Sequence, residues 1–150
     1  MNTNTKEPSI KVDLFYGLIT LGSSTLWTLV NGWLLYFYMP PDGEGQILVP
    51  VALYSTVVFL VQAINAVLSP AVGYLSDNCR SRWGRRLPFM FLSGVPLLVL
   101  FVLIWRPPVA AQSGWNLLYL GIIYMFYKAA YTFNQIPYTA LLPELARTDE

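Results

Sequence analysis

Lys128 is the one charged side chain set deep in an apolar run, about a dozen residues from either end of the stretch from Trp115 to Leu142. If that stretch crosses a bilayer, the ammonium lies near the midplane, where a charge costs at least about 2.5–3.5 kcal/mol to insert. It must then face a counter-charge or a wet cavity, because snorkelling to an interface is a long reach from there. No carboxylate in the apolar runs can pair with it: Glu7, Asp13, Asp42, Glu44, Asp77, Glu144, Asp149 and Glu150 all fall outside them or at their edges. The partner stays open among an anionic substrate, a helix outside this sequence and bulk water. A fourth alternative is that Lys128 gives up its proton part of the time and carries protons.

Around this lysine the polar residues fall into stripes. Tyr124, Lys128, Tyr131, Gln135 and Thr139 share one face of a helix. Thr20, Ser24, Thr28 and Asn31, spaced four, four and three residues apart, share a face of an earlier one. Gln62, Asn65 and Ser69 do the same in a second run, with Ser55 two turns before them. A third run has only Ser93, beside Gly94 and Pro96. A single Ser or Thr is accounted for as glue between helices, at about 0.6 kcal/mol each. Three aligned stripes instead predict a water-accessible cavity lined by the first, second and fourth runs, with the third outside as scaffold.

Other chemistries find no footing. There is no His and one cysteine, Cys79, so a zinc site, a His-based triad and an intrachain disulfide are excluded. Cys79 reads as a small filler near a helix end. No nucleophile–base pair or phosphate loop is present, which leaves no enzyme and no cofactor beyond a possible coupling ion, H+ or Na+. A net charge of +1 with no long basic tract excludes nucleic acid as a partner.

The elements that must position these residues are helices in a membrane. The sequence is 55% hydrophobic and 11% charged, against about 25% charged in soluble proteins. Four stretches, near 14–39, 49–75, 87–105 and 115–142, are long enough to cross a hydrocarbon core, which takes roughly 20 helical residues. The first is too long for a signal sequence and ends in Pro40-Pro41-Asp42-Gly43 rather than at a small-residue cleavage site. Short loops between the four predict antiparallel neighbours. Lys6, Lys11, Arg80, Arg82, Arg85, Arg86 and Arg147 fall on one side and only Arg106 on the other, which puts the N-terminus in the cytoplasm of a cell membrane. Trp33, Tyr36, Tyr38, Trp105 and Trp115 are then expected in the outer interfacial belt.

The second loop reads Gly73-Tyr-Leu-Ser-Asp77-Asn-Cys-Arg80-Ser-Arg82-Trp83-Gly84-Arg85-Arg86. Asp77 at a helix C-terminus faces an already negative dipole, so arginines or another helix's N-terminus must compensate it. Gly73, four residues earlier, would permit close helix approach. This loop resembles the signature between helices two and three of the major facilitator superfamily, in the form of its glycoside–pentoside–hexuronide:cation symporter branch, the melibiose permease-like carriers. Gln135-Ile-Pro137-Tyr138-Thr-Ala-Leu-Leu-Pro143-Glu144 is similar to the end of that branch's fourth helix, and Tyr16-Gly17 with Gly22 is a weaker match in the first.

The resemblance implies an all-α membrane protein of twelve helices in two six-helix bundles, of which residues 1–150 hold the first four. Such a piece is expected not to transport alone, and to need the remaining helices of the full-length carrier as well as the lipid bilayer. It further implies a secondary transporter that moves a sugar, glycoside or related small polar solute by alternating access, proton- or cation-coupled. Gly73, Asp77, Arg80, Arg82, Gly84, Arg85 and Arg86 take the role of a cytoplasmic latch between the bundles. Where the melibiose-type cation and sugar sites have carboxylates, this sequence holds the neutral Ser24, Asn65, Ser69 and Gln135, so sodium lacks anionic ligands in this half. Lys128 could stand in for the bound cation, favouring proton coupling, an anionic substrate or uncoupled passage. The alternative function is a non-transporting scaffold or sensor that reuses the fold.

Overall fold

The computed structural model describes residues 10–41, 43–78 and 87–147. They form four helices and, among the described residues, no strand: α1 Ile10–Tyr38, α2 Val51–Asn78, α3 Leu87–Ile104 and α4 Gly114–Arg147. Each coincides with one expected apolar run. α1 begins at Ile10 and α4 continues to Arg147, beyond the bounds read from hydropathy, because a helical hydrogen-bond ladder does not stop where the greasy segment does. At 1.5 Å per residue, the 34 residues of α4 extend about 51 Å and the 18 of α3 about 27 Å. Among the described residues, Val51–Ser76 is the one helix long and apolar enough by itself to cross a membrane, and Leu92–Ile104 is a shorter apolar helix. α1 and α4 carry polar stripes, and those stripes dilute their apolar character.

α4 is the central element and packs along both α2 and α3. Its buried Leu117, Leu120, Tyr124 and Tyr127 recur at three, four and three residues, so they form one face. Val30, Leu34 and Tyr38 of α1, Tyr54 and Val61 of α2, and Leu97 and Ile104 of α3 complete the core. Gly121 marks a tight approach between helices: a Cβ there would lie 3.2 Å from Val57 Cγ1 of α2. Gly73 behaves differently from expectation. A Cβ at that position would meet Ile136 Cγ2 at 3.9 Å, an ordinary contact, so the α2–α4 spacing at this level does not depend on glycine.

One end of the bundle is tied by a polar knot centred on Asn116, which is fully buried near the start of α4. Its two Nδ2 protons are shared among the carbonyls of Leu48 (2.9 Å), Val109 (2.8 Å) and Ala111 (2.9 Å), and its Oδ1 accepts from Val109 N (3.0 Å). Ser113 N donates to Leu48 O at 3.2 Å, and Leu48 N to Tyr38 O at 3.0 Å. The α1–α2 and α3–α4 connections are thereby joined, as antiparallel neighbours with short loops require.

Tyr38, expected at the interfacial end of α1, is enclosed within this knot at that end of the bundle. It is fully buried, and its hydroxyl donates to Ile104 O at 2.6 Å. Packing across α1 and α3 competes successfully for the ring because the hydroxyl finds a carbonyl that α3 leaves unpaired at its last turn. Trp33, Tyr36 and Trp115 are exposed, and the Tyr36 hydroxyl donates to the Glu44 carboxylate. Trp105 is half-buried, edge-on to Phe37 with ring centroids 5.1 Å apart.

Candidate functional site

The core face of α4 runs directly into its polar stripe, since Tyr124 belongs to both. One turn further on, Lys128 is only 1% exposed. Its Nζ donates to Asn31 Oδ1 of α1 at 3.4 Å, lies 3.9 Å from the Trp27 ring centroid and lies 5.3 Å from that of Tyr124. An ammonium over an aromatic face is attracted to the ring quadrupole, most strongly for Trp. Among the described residues, these contacts are an amide oxygen and two rings, with no carboxylate. Asn31 is oriented by its own helix, its Nδ2 donating to Trp27 O at 2.8 Å. Trp27 is held in turn by Tyr131, whose ring stacks on it at 4.9 Å and 29°. Tyr127, 6.4 Å from Tyr131, anchors the same seam by donating from its hydroxyl to Leu26 O at 3.2 Å.

A second polar contact joins α2 to α4 one turn beyond Lys128. Thr132 Oγ1 donates to Asn65 Oδ1 at 2.9 Å, and Ser69 Oγ donates to Asn65 O at 2.8 Å. Pro70 follows Ser69 inside α2 and removes one main-chain donor from that turn. Gln135 is half-buried, with its Oε1 enclosed and unpaired. Thr139 turns back on its own helix, donating to Gln135 O and Ile136 O at 3.1 and 3.0 Å.

Of the sequence-derived candidates, the fold therefore brings Asn31, Tyr124, Lys128 and Tyr131 into one cluster and Asn65 and Ser69 into a neighbouring one. Thr20, Ser24, Thr28, Ser55 and Gln62 lie on exposed helix surface. Arg80, Arg82, Gly84, Arg85 and Arg86 of the latch motif lie outside the described residues. So does the side chain of Asp77, whose backbone is in the last turn of α2.

Three residues of the site were not legible in the stripes. Trp27 is four residues before Asn31, and an aromatic at that offset on a polar face is the signal that could have marked it. Thr132 stands four residues after Lys128 by the same logic. Asn134 donates from Nδ2 to the buried Ser93 Oγ at 3.4 Å, so α3 makes a polar contact as well as an apolar one. A cavity of about 330 Å³ lies apart from the seam, between α3 and α4, lined by Leu92, Pro96, Leu100, Phe126, Ala129 and Phe133 among others; it is apolar.

Among the described residues, the site is a buried ammonium held by neutral groups, beside polar faces on three helices. The chain belongs to the MFS/sugar transport protein family, whose profile matches residues 15–150. It is similar to an uncharacterized symporter of Synechocystis sp. (strain ATCC 27184 / PCC 6803 / Kazusa), 33% identical over 139 residues covering 89% of this chain and 25% of that protein. It is also similar to the inner membrane symporter YicJ of Escherichia coli (strain K12), 29% identical over 89% of this chain and 28% of that protein. The isoprimeverose transporter of Lactiplantibacillus pentosus is 25% identical over 87% of this chain and 26% of that protein. The chain thus spans about a quarter of the length of these relatives. No solved structure matches it. The resemblance to the glycoside–pentoside–hexuronide symporters read from the second loop is borne out, and the family is one of membrane transporters, not enzymes.

Proposed function

We propose that this chain supplies the first four transmembrane helices of a secondary transporter that moves a sugar-like polar solute by alternating access, with the Lys128 seam on the solute and ion pathway. α1, α2, α3 and α4 each cross the cell membrane, and the N-terminus is cytoplasmic. The observation that carries the reading is the position of Lys128. A charge midway along a helix of a membrane protein costs at least about 2.5–3.5 kcal/mol, and such residues mark functional pathways. A desolvated cation–π contact contributes about 2 kcal/mol, and a hydrogen bond from a charged donor about 1.5–3. Trp27 and Asn31 together therefore offset the cost and hold the ammonium without a carboxylate.

The neutral Ser24, Asn65, Ser69 and Gln135 support coupling in which Lys128 replaces a bound cation or carries a proton, in preference to a sodium site in these helices. The isoprimeverose carrier among the relatives supports a sugar or glycoside as the solute. Gly73, Asp77 and the arginines from Arg80 to Arg86 act as the cytoplasmic latch.

Counterflow of labelled sugars into proteoliposomes tests the transport reading: exchange above the protein-free control is expected, whereas saturable binding with no flux would favour a sensor. A membrane-impermeant maleimide tests the orientation, since Cys79 on the second loop should react only after the inner face is opened. Lys128→Ala with unchanged uptake and unchanged ion dependence would remove Lys128 from the pathway.

A further inference from the structure

We propose, resting on the carrier reading above, that α2 and α4 share one hinge at Pro70 and Pro137, about which their cytoplasmic ends bend together against a fixed outer half. The two helices run side by side in the same direction: Gly121 lies against Val57, Thr132 Oγ1 donates to Asn65 Oδ1 at 2.9 Å, and Ile136 lies against Gly73. Pro70 follows Asn65 by five residues, and Pro137 follows Thr132 by five. The prolines therefore stand at one level of the bundle, to within about a turn. α2 is helical over Val51–Asn78 and α4 over Gly114–Arg147, so neither proline ends its helix.

A proline inside a helix takes one N–H out of the main-chain ladder and crowds the turn before it, and sharp helix bends occur at such turns. At both sites a hydroxyl adds to the effect. Ser69 Oγ donates to Asn65 O at 2.8 Å immediately before Pro70, and Thr139 Oγ1 donates to Gln135 O at 3.1 Å and to Ile136 O at 3.0 Å, astride Pro137. Back-bonds of this kind compete with the ladder and bend helices. One weakened turn would let a single helix flex away from its neighbour. Two at the same level, on touching parallel helices, let the pair flex without parting.

The outer half is built not to follow. Asn116 ties the α1–α2 connection to the α3–α4 connection. Among the described residues, the apolar cluster on α2 and α4 runs over Tyr54, Val57, Val58 and Val61 and from Leu117 to Tyr131, all before the prolines; Val72 is buried beyond Pro70 but outside that cluster. The Asn65–Thr132 bond closes the stiff part little more than a turn before the hinge. Past Pro70, α2 carries Gly73 and Asp77, so a bend there moves the latch and leaves the Lys128 seam in place.

The test uses the full carrier in proteoliposomes, with counterflow of labelled glucose, xylose and lactose. Pro70→Ala combined with Pro137→Ala restores both N–H groups and should lower the maximal exchange rate about tenfold or more, with KM unchanged and the unfolding midpoint equal or higher. Each single variant should lie between. On the carrier with both prolines, otherwise free of cysteine, spin labels at Leu14 of α1 and Tyr74 of α2 should change their separation when the exchanged sugar is added, and labels at Leu35 and Leu53 in the outer half should not. That measurement needs no proline variant, so a misfolded one does not blunt it. Separations that stay constant at both pairs, or change equally at both, would overturn the hinge and leave the carrier reading standing, as would a double variant that exchanges at the original rate. A lower midpoint together with constant separations would assign the prolines to folding and overturn the hinge as well. Exchange of none of the sugars by folded, unaltered protein would overturn the carrier reading itself.

Discussion

The Nζ of Lys128 on α4 lies 3.9 Å from the centre of the Trp27 ring on α1, and this contact joins two helices whose backbones otherwise pack mainly through others. α1 is attached to α4 by side chains: Trp27 on Lys128 and Tyr131, Asn31 on Lys128, and Tyr127 on the Leu26 carbonyl. A contact of this kind can be altered without collapsing the core, which makes it a suitable place to separate function from folding.

Replacing Trp27 by Leu removes the aromatic face and the stack on Tyr131. The contact holds the Lys128 ammonium, so its loss should loosen that group and raise KM for the transported solute. Trp27→Phe keeps a weaker face and should lie between Leu and the original. Equal kinetics for the Leu and Phe variants would show that the ring acts only as filler.

Asn116→Ala should destabilise the protein with little change in solute affinity. It leaves the carbonyls of Leu48, Val109 and Ala111 and the Val109 N–H without their shared partner in a fully buried site. Each orphaned buried group costs about 1–3 kcal/mol, and relaxation recovers part of the sum. Thermal unfolding in detergent should shift down by several degrees, and an unchanged midpoint would mean that water replaces the side chain. Asn116→Asp should fail as well, because it can accept from Val109 N but, ionised, has no proton to offer the surrounding carbonyls.

The two α2–α4 glycines should respond in opposite ways. Gly121→Ala puts a Cβ 3.2 Å from Val57 Cγ1, and Gly121→Val should be worse, with Val57→Ala restoring stability to either. Gly73→Ala meets only ordinary contact and should gain about 0.5–1 kcal/mol from reduced backbone entropy. If Gly73→Ala is stable yet inactive, its role lies in the latch movement and not in static packing. A destabilised Gly73→Ala would contradict the α2–α4 spacing described above.

Thr132→Val retains the shape of the side chain and takes the donor from Asn65 Oδ1. A hydrogen bond between membrane helices is worth about 0.6 kcal/mol on average, so stability should fall only slightly. Transport should fall more than stability, because the Asn65 side chain is then free to reorient on the pathway, while Ser69 stays bonded to the Asn65 main-chain carbonyl. A double-mutant cycle with Asn65→Ala measures the coupling, and a coupling near zero would place the two residues on independent tasks.

Particular residues show where sequence reasoning reached and where it stopped. The four helices and the buried lysine followed from apolar runs and one interrupting charge, because the cost of a charge among hydrocarbon depends on depth along the chain, which spacing discloses. The partner of Tyr38 was not legible, because an aromatic near a helix end can face a headgroup zone or a neighbouring helix. The choice fell to Ile104 O, which is 66 residues away in sequence. Gly73 drew attention through its motif, while the glycine that packing requires is Gly121, and no local pattern distinguishes them.

By itself the sequence determined which stretches are helical, which faces of them are polar and that Lys128 has no carboxylate in the same runs, since periodicity and composition are properties of each segment alone. Only the tertiary structure decided that Trp27 and Asn31 of α1 form the cradle, that Thr132 engages Asn65, and that Asn116 ties two loops together. Those pairings depend on the rotation and height of each helix against the next, quantities set by the sum of all contacts between helices and written in no single one of them.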